Sequence, residues 1–288
     1  MTKWNGKSKG TVLGYRIFIF SIKTFGVKTA YFILRFVTYY YYLFARKNRE
    51  GILNFYKQAL GFNNKEAKKI ARKNFYIFGQ TLVDRHAFLL DKAKHISYSF
   101  DNEQALIDIK DKNKGAVLLS GHIGNWETAG NLLKDRISNK INALMLDAEY
   151  QKIKQFIDNS TGGSKFNVIA IKNDLSHIIK IKNALSNNEF IAIHADRTTE
   201  GIKNIEIDFF RIPTKFPYGP FLIASKFKVP VVFVFAVKGN ENHYSLNCTN
   251  PTVGKSPEEI AKKYVVELER MVRKYPEQWF NYYNYFEQ

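Results

Sequence analysis

Apolar positions divide the chain into two patterns. Over residues 11–45, TVLGYRIFIFSIKTFGVKTAYFILRFVTYYYYLFA, they form long runs broken by Arg16, Lys23, Lys28 and Arg35 at intervals of five to seven residues. The longest uncharged stretches, 17–22 and 36–45, fall short of the roughly 20 residues that a spanning helix needs. The spacing predicts a pair of amphipathic helices lying in a membrane interface, with Phe, Ile and Leu toward the acyl region and Lys and Arg snorkelling outward. Tyr39 to Tyr42 suit the headgroup level, where an amphipathic ring finds both its environments. A single tilted span from about residue 27 to 45 and an ordinary buried helix pair are the alternatives. A secretory leader fits poorly, because no clean apolar core precedes a small-residue cleavage site.

Residues 50–90 continue at helical spacing behind a cap-like Asn, with His86 read as a packing or surface residue. From about residue 115 the period changes. Short apolar runs fall at 116–120, 141–146, 167–171, 190–194, 229–237 and 244–248, with helical stretches at 126–133, 175–185, 217–226 and 257–275 between several of them. Strands alternating with helices predict an α/β fold with a mixed central sheet flanked by helices. Residues 1–50 then form the membrane-associated helical segment and residues 51–288 the α/β domain.

The most informative stretch is GAVLLSGHIGNWETAGNLLKD, which reads as strand, tight turn and helix. Ligands in open α/β sheets sit beyond the carboxyl ends of strands. His122 and Glu127 fall at such a position, between glycines that let the backbone turn, and Asn125 opens the following helix. Residues five apart do not meet across a continuous helix. They can meet when His122 lies on the turn and Glu127 in the first helical turn. A histidine held by a carboxylate can act as general base. No G-x-S-x-G is present, and Cys248 lies in an ordinary strand, so a covalent nucleophile is not evident. A base without a nucleophile suits direct transfer to an acceptor hydroxyl. His194 or Asp196 could be recruited for a metal, but no metal is expected.

Composition narrows the partners. The 288 residues are 45% hydrophobic and 15% aromatic, with one cysteine, which excludes an intramolecular disulfide framework. The formal charge is +18, and the first 100 residues hold 19 Lys and Arg against 4 Asp and Glu, so the excess is concentrated there. A basic, aromatic segment points to an anionic membrane, an acidic partner or nucleic acid. A nucleic-acid binder would account for the charge but not for GHIGNWE or the apolar N-terminal helices. A hydrolase, with water replacing the acceptor, shares the His/Glu pair.

GHIGNWE at 121–127 resembles the His-x4-Asp/Glu block of glycerolipid-type acyltransferases, and specifically the bacterial lipid A late acyltransferase family. HADRTTEG at 194–201, DFFRIPTKFPYGPFLIASKFKVPVVFVF at 208–235 and YPEQWFNYY at 275–283 resemble that family's downstream blocks in the same order. GYRIFIFSIKTFG near the start resembles its membrane-proximal segment. The resemblance implies an enzyme at the cytoplasmic face of the inner membrane, moving a fatty acyl chain from an acyl carrier protein or coenzyme A thioester to a lipid hydroxyl. It maps the base onto His122, the orienting carboxylate onto Glu127 and substrate contacts onto Asn125, Asp196 and Arg197. Many relatives are acidic-Gln-acidic where this chain has Asp196-Arg197-Thr198. That departure leaves Arg197 open between binding a phosphate, steadying an oxyanion and pairing with Asp196. Phe216, Pro217, Tyr218 and Phe221 are candidates for an acyl pocket. The resemblance implies no cofactor beyond the acyl donor. Lipid A precursor is the default acceptor, with another glycolipid, an aminoacyl lipid or a pigment-type lipid alcohol as alternatives.

Overall fold

The computed structural model describes residues 12–287 apart from 95, 127, 130–136, 138, 147–166, 172–173, 175, 200, 240–241 and 255, with backbone alone at 12–18, 89 and 146. Four helices open the chain: α1 (Val12–Phe25), α2 (Val27–Phe44), α3 (Arg46–Leu60) and α4 (Asn64–Leu89). Helix α4 starts at a capping box, in which Asn63 accepts from Lys65 N and Glu66 N while the Glu66 carboxylate accepts from Asn63 N. The rest is a mixed α/β fold. Strand β1 (Ser97–Asp101) and helix α5 (Gln104–Asp111) precede β2 (Ala116–Ser120), β3 (Ile141–Leu146) and β4 (Asn167–Ile171). Helix α6 (Ser176–Ser186), β5 (Phe190–His194), the pair β6 (Asn204–Phe209) and β7 (Ile212–Pro217), and α7 (Tyr218–Lys226) follow. Strands β8 (Val231–Lys238) and β9 (His243–Cys248) and helix α8 (Pro257–Lys274) complete the layer.

Seven strands form the central sheet in the order β1-β9-β8-β2-β5-β3-β4, parallel throughout except where β8 meets β9. Strand β2 lies in the middle and is buried along its whole length, as a strand covered on both faces must be. Val117, Leu119, Ile193, Phe233 and Phe235 pack against a helical stripe on α8 that includes Ile260, Tyr264 and Leu268. Leu118, Val232 and Leu246 pack on α5 through Leu106 and Ile109. Ser256 caps α8 at Glu259 N, Pro257 occupies its first turn, and Arg273 and Lys274 close its last, which suits the helix dipole.

The six strands expected from apolar runs are present within two residues of their predicted bounds. Strand β1 and the β6–β7 hairpin were not predicted. SYSFD in β1 is polar and exposed on an edge, and the hairpin turns through Phe210 and Arg211, both at positive φ, without the Asn-Gly signal.

The N-terminal helices form a layer with two distinct faces. Val27, Ala30, Leu34, Thr38 and Tyr42 of α2 are buried, and Ile22, Ala30 and Leu34 cluster with Val83 and Ala87 of α4. The opposite side shows Phe25, Phe32, Phe36, Tyr39, Tyr40 and Phe44, each more than half exposed. The tyrosine run is therefore split, with Tyr42 inside and Tyr39 and Tyr40 outside. Among the described residues no helix is long and apolar enough to cross a membrane, so the single-span alternative finds no support.

Close approach of α2 to α4 depends on Gly79. A Cβ added there would lie 2.6 Å from Leu34 Cδ1 and 2.9 Å from Thr38 Cγ2. Gly79→Val is expected to cost about 1–3 kcal/mol through overpacking, read as a lowered Tm of the full chain, whereas Gly61→Ala, which meets no neighbour, pays only for its left-handed φ.

Candidate active site

The GHIGN turn leaves the carboxyl end of β2 beside the end of β5, where Ser120 is in register with His194. Gly121 fits because it lacks a side chain: a Cβ would lie 2.9 Å from Tyr264 Oη and 3.3 Å from Asp196 Cγ. Gly124 is more tightly constrained. Its φ is +70°, and a Cβ would sit 1.9 Å from the Ala236 carbonyl oxygen. Residues 278–280 clamp the turn from outside. Gly124 N donates to Gln278 O at 3.0 Å, Phe280 N donates to His122 O at 2.9 Å, and Asn125 N donates to Ala236 O at 2.7 Å.

His122 is gripped twice by one carboxylate. Its backbone N–H donates to Asp196 Oδ2 at 2.9 Å, and its ring Nδ1 lies 2.8 Å from Asp196 Oδ1. A carboxylate on Nδ1 selects the tautomer with the proton there and a lone pair on Nε2, the form a general base needs. Asp196 is fully buried. Burial alone would push its carboxyl upward, but the His122 charge and hydrogen bond, with Arg197 and His194 beyond, outweigh it and hold it well below the usual carboxylate range. Asn281 Nδ2 donates to Oδ2 at 3.1 Å, and the Tyr285 hydroxyl donates to the Asp196 carbonyl at 2.6 Å.

The other expected residues are distributed around this pair. Glu127 lies outside the described residues. Asn125 is buried in protein partners: its Nδ2 donates to Tyr244 Oη at 3.1 Å and to Thr81 O at 3.3 Å, and its Oδ1 accepts from Thr128 N at 3.3 Å. Tyr244 in turn donates to Asp84, which also holds Tyr31 of α2 and pairs with Lys238 at 2.6 Å. Both members of that ion pair are almost wholly buried. Arg197 reaches back to the C-terminal segment, with Nε donating to Asn281 Oδ1 at 2.6 Å and one terminal nitrogen to Phe280 O at 2.8 Å. Its side chain also borders the cavity.

A cavity of about 620 Å³ opens at this turn. Alternate residues of the central strands face it, with Leu118 and Ser120 on β2, Ala192 and His194 on β5, and Val234 and Ala236 on β8. Its wall is largely apolar, and its polar members include His122, His194 and Arg197 near the turn and Lys203 and Asn247 elsewhere. Pro217 and Tyr218 line it, whereas Phe216 and Phe221 are packed in the core. The volume falls in the range of small-ligand sites.

Asn281 and Tyr285 were not predicted as site residues, and His194 only as a residue that a metal could recruit. His194 sits at the end of an apolar strand run, a position of the kind that flagged His122, but without adjacent glycines. Its ring lies 4.6 Å from that of His122 and 4.9 Å from Trp126, centroid to centroid. Burial, then the His122 charge, push its imidazole down to about 3.

A half-buried histidine held by a buried carboxylate at the carboxyl ends of parallel strands, beside a largely apolar cavity, is a candidate acid–base site in an α/β fold. Residues 7–287 match the family model of the bacterial lipid A biosynthesis acyltransferases, and the chain belongs to that family. It is accordingly an acyltransferase acting on lipid A. Comparison with curated proteins gives no match.

The depressed His194 value has a consequence for stability. Between its unfolded value near 6.5 and its folded value near 3, the unfolded chain binds the extra proton, so stability falls as pH drops through that window. His86, pushed down to about 4 mainly by burial, acts in the same direction. His194→Phe is expected to reduce the loss of Tm between pH 7 and pH 4; an unchanged pH profile of Tm would place the imidazole in water.

Proposed function

We propose that this acyltransferase moves a fatty acyl chain from an acyl carrier protein or coenzyme A thioester to a hydroxyl of a lipid A precursor, with His122 as base. The observation that carries the reading is the double grip of Asp196 on His122 at the mouth of the cavity. Nε2 of His122 takes the proton of the acceptor hydroxyl as its oxygen bonds to the thioester carbonyl carbon, and the carbonyl π pair moves onto oxygen. Collapse re-forms the carbonyl, the C–S bond breaks, and the departing thiolate takes the proton back from His122. Asp196 stabilises the imidazolium between these steps. In this reading Asp196, on Nδ1, orients His122, the role first expected of Glu127. The cavity holds the acyl chain out of water.

Residues 1–50 address the membrane and residues 51–288 carry the chemistry. The exposed Phe25, Phe32, Phe36 and Phe44 insert at the interface while Lys23, Lys28 and Arg35 meet anionic headgroups. The reading is of a peripheral enzyme at the cytoplasmic face of the inner membrane.

Mass spectrometry of lipid A from cells making wild-type or His122→Ala protein tests the reaction. The variant is expected to fold and to yield lipid A lacking one acyl chain, and full acylation with stable His122→Ala would sink the mechanism. Asp196→Asn, which keeps the shape and changes the tautomer, is expected to lower kcat by about 10³–10⁴-fold. On the membrane side, Phe32→Asp with Phe36→Asp should release the chain from phosphatidylglycerol-containing vesicles in a flotation assay with little change in Tm. Undiminished flotation would move the membrane contact elsewhere.

A further inference from the structure

Acyl transfer as described leaves His194 without a task. Both ring nitrogens are buried and lack a hydrogen-bond partner. The nearby Ser120 carbonyl already accepts from Ala195 N at 2.9 Å and from the Tyr264 hydroxyl at 2.8 Å. A desolvated imidazole with neither donor nor acceptor satisfied is uncommon in a folded protein and points to a missing partner.

The missing partner is suggested by what surrounds it. One ligand atom each from His122, His194 and Asp196 lie within 4.8 Å of one another. We infer that these three residues form a binding site for a divalent ion of the zinc type, and that its occupancy switches off acyl transfer. The second half of this statement rests on the function proposed above. Two imidazoles and a carboxylate suit zinc or cobalt, while magnesium and calcium take oxygen donors. Ligand atoms on one tetrahedral zinc lie about 3.3 Å apart, given bonds of about 2.0–2.1 Å. The His122 Nδ1 to Asp196 Oδ1 edge, at 2.8 Å, needs to open by only about half an ångström to reach that separation.

The surroundings are already those of a metal ligand set. Asp196 Oδ2 is held by His122 N and Asn281 Nδ2, which fixes the carboxylate as outer partners fix a ligand. The cavity borders the cluster through His122 and His194. Occupancy removes the base whichever nitrogen of His122 is used. A metal on Nε2 takes the lone pair that accepts the acceptor's proton, and a metal on Nδ1 leaves Nε2 protonated.

The test uses the full chain in detergent, stripped with a chelator and dialysed. Zn²⁺ is titrated by calorimetry and Co²⁺ by visible absorption, on wild type and on His194→Phe. Wild type is expected to bind one ion, with the tetrahedral cobalt bands, and His194→Phe to bind at least tenfold more weakly. In the transfer assay Zn²⁺ should inhibit wild type at the concentration that titrates the site, and chelator should restore it. The residual transfer of His194→Phe, whatever its rate, should not respond. No ion bound by wild type, or equal binding by the variant, overturns the site. Transfer that needs zinc overturns the inhibition. Zinc bound through His194 by a chain that transfers no acyl group with chelator present would uphold the site and bring down the acyl-transfer reading instead.

Discussion

The arrangement of this enzyme depends on one fully buried carboxylate. Asp196 accepts both the backbone N–H and the ring Nδ1 of His122, so a single side chain fixes the position of the turn and the orientation of the imidazole. Burying a charge is costly unless it is paired and hydrogen-bonded. Here the cost is offset by three donors, two from His122 and one from Asn281, and by the neighbouring guanidinium of Arg197. Arg197 itself is tied to Asn281 and to the Phe280 carbonyl, so the charge balance of the site and the docking of the C-terminal segment are one network. Removing any donor leaves the carboxylate under-satisfied, and the active turn loses its reference point.

A second buried charge pair ties the helical layer to the same turn. Lys238 on β8 and Asp84 on α4 meet at 2.6 Å inside the protein. Tyr31 of α2 and Tyr244 of β9 both donate to Asp84, and Tyr244 accepts from Asn125. Such a pair is weak evidence for stability, because desolvation consumes much of the Coulomb gain. Its more secure effect is geometric. Four elements, α2, α4, β8 and β9, and Asn125 on the turn after His122 are fixed to one point, and the other side of α2 is exposed.

The sheet could be read from the sequence because its strands are buried on both faces and appear as continuous apolar runs between helical stretches. The edge strand β1 escaped because Ser97, Tyr98 and Ser99 are exposed and carry no apolar period. The turn at His122 was legible as a candidate site because glycines, a histidine and an asparagine interrupt the strongest run. Its chemical partner was less legible. A carboxylate five residues on invites a local pair, yet the carboxylate found on Nδ1 comes from 74 residues away, delivered by the parallel pairing of β2 with β5. Asp196 was singled out as a substrate contact, a partner for Arg197 or a possible metal ligand, not as the partner of His122. Sequence spacing describes contacts along one element, and the contacts that assemble this site run between elements. The helical layer shows the same limit. Residues 27–44 are helical as predicted, but Lys28 and Arg35 share the exposed side of α2 with Phe32, Phe36 and Tyr39, and the burial of Tyr42 beside the exposure of Tyr40 depends on packing against α4.

The clamp from residues 278–280 and the bonds from Asn281 and Tyr285 have a consequence for how the enzyme is made. His122 leaves the ribosome long before Phe280 exists. At about 5–20 residues per second, some 10–30 s separate the two. Throughout that interval the turn lacks the strand-like bridge from Ile123 to Trp279 and the donors that complete Asp196. The nascent chain can assemble its sheet but not its site, so the apolar cavity is formed before the machinery that would act on what enters it.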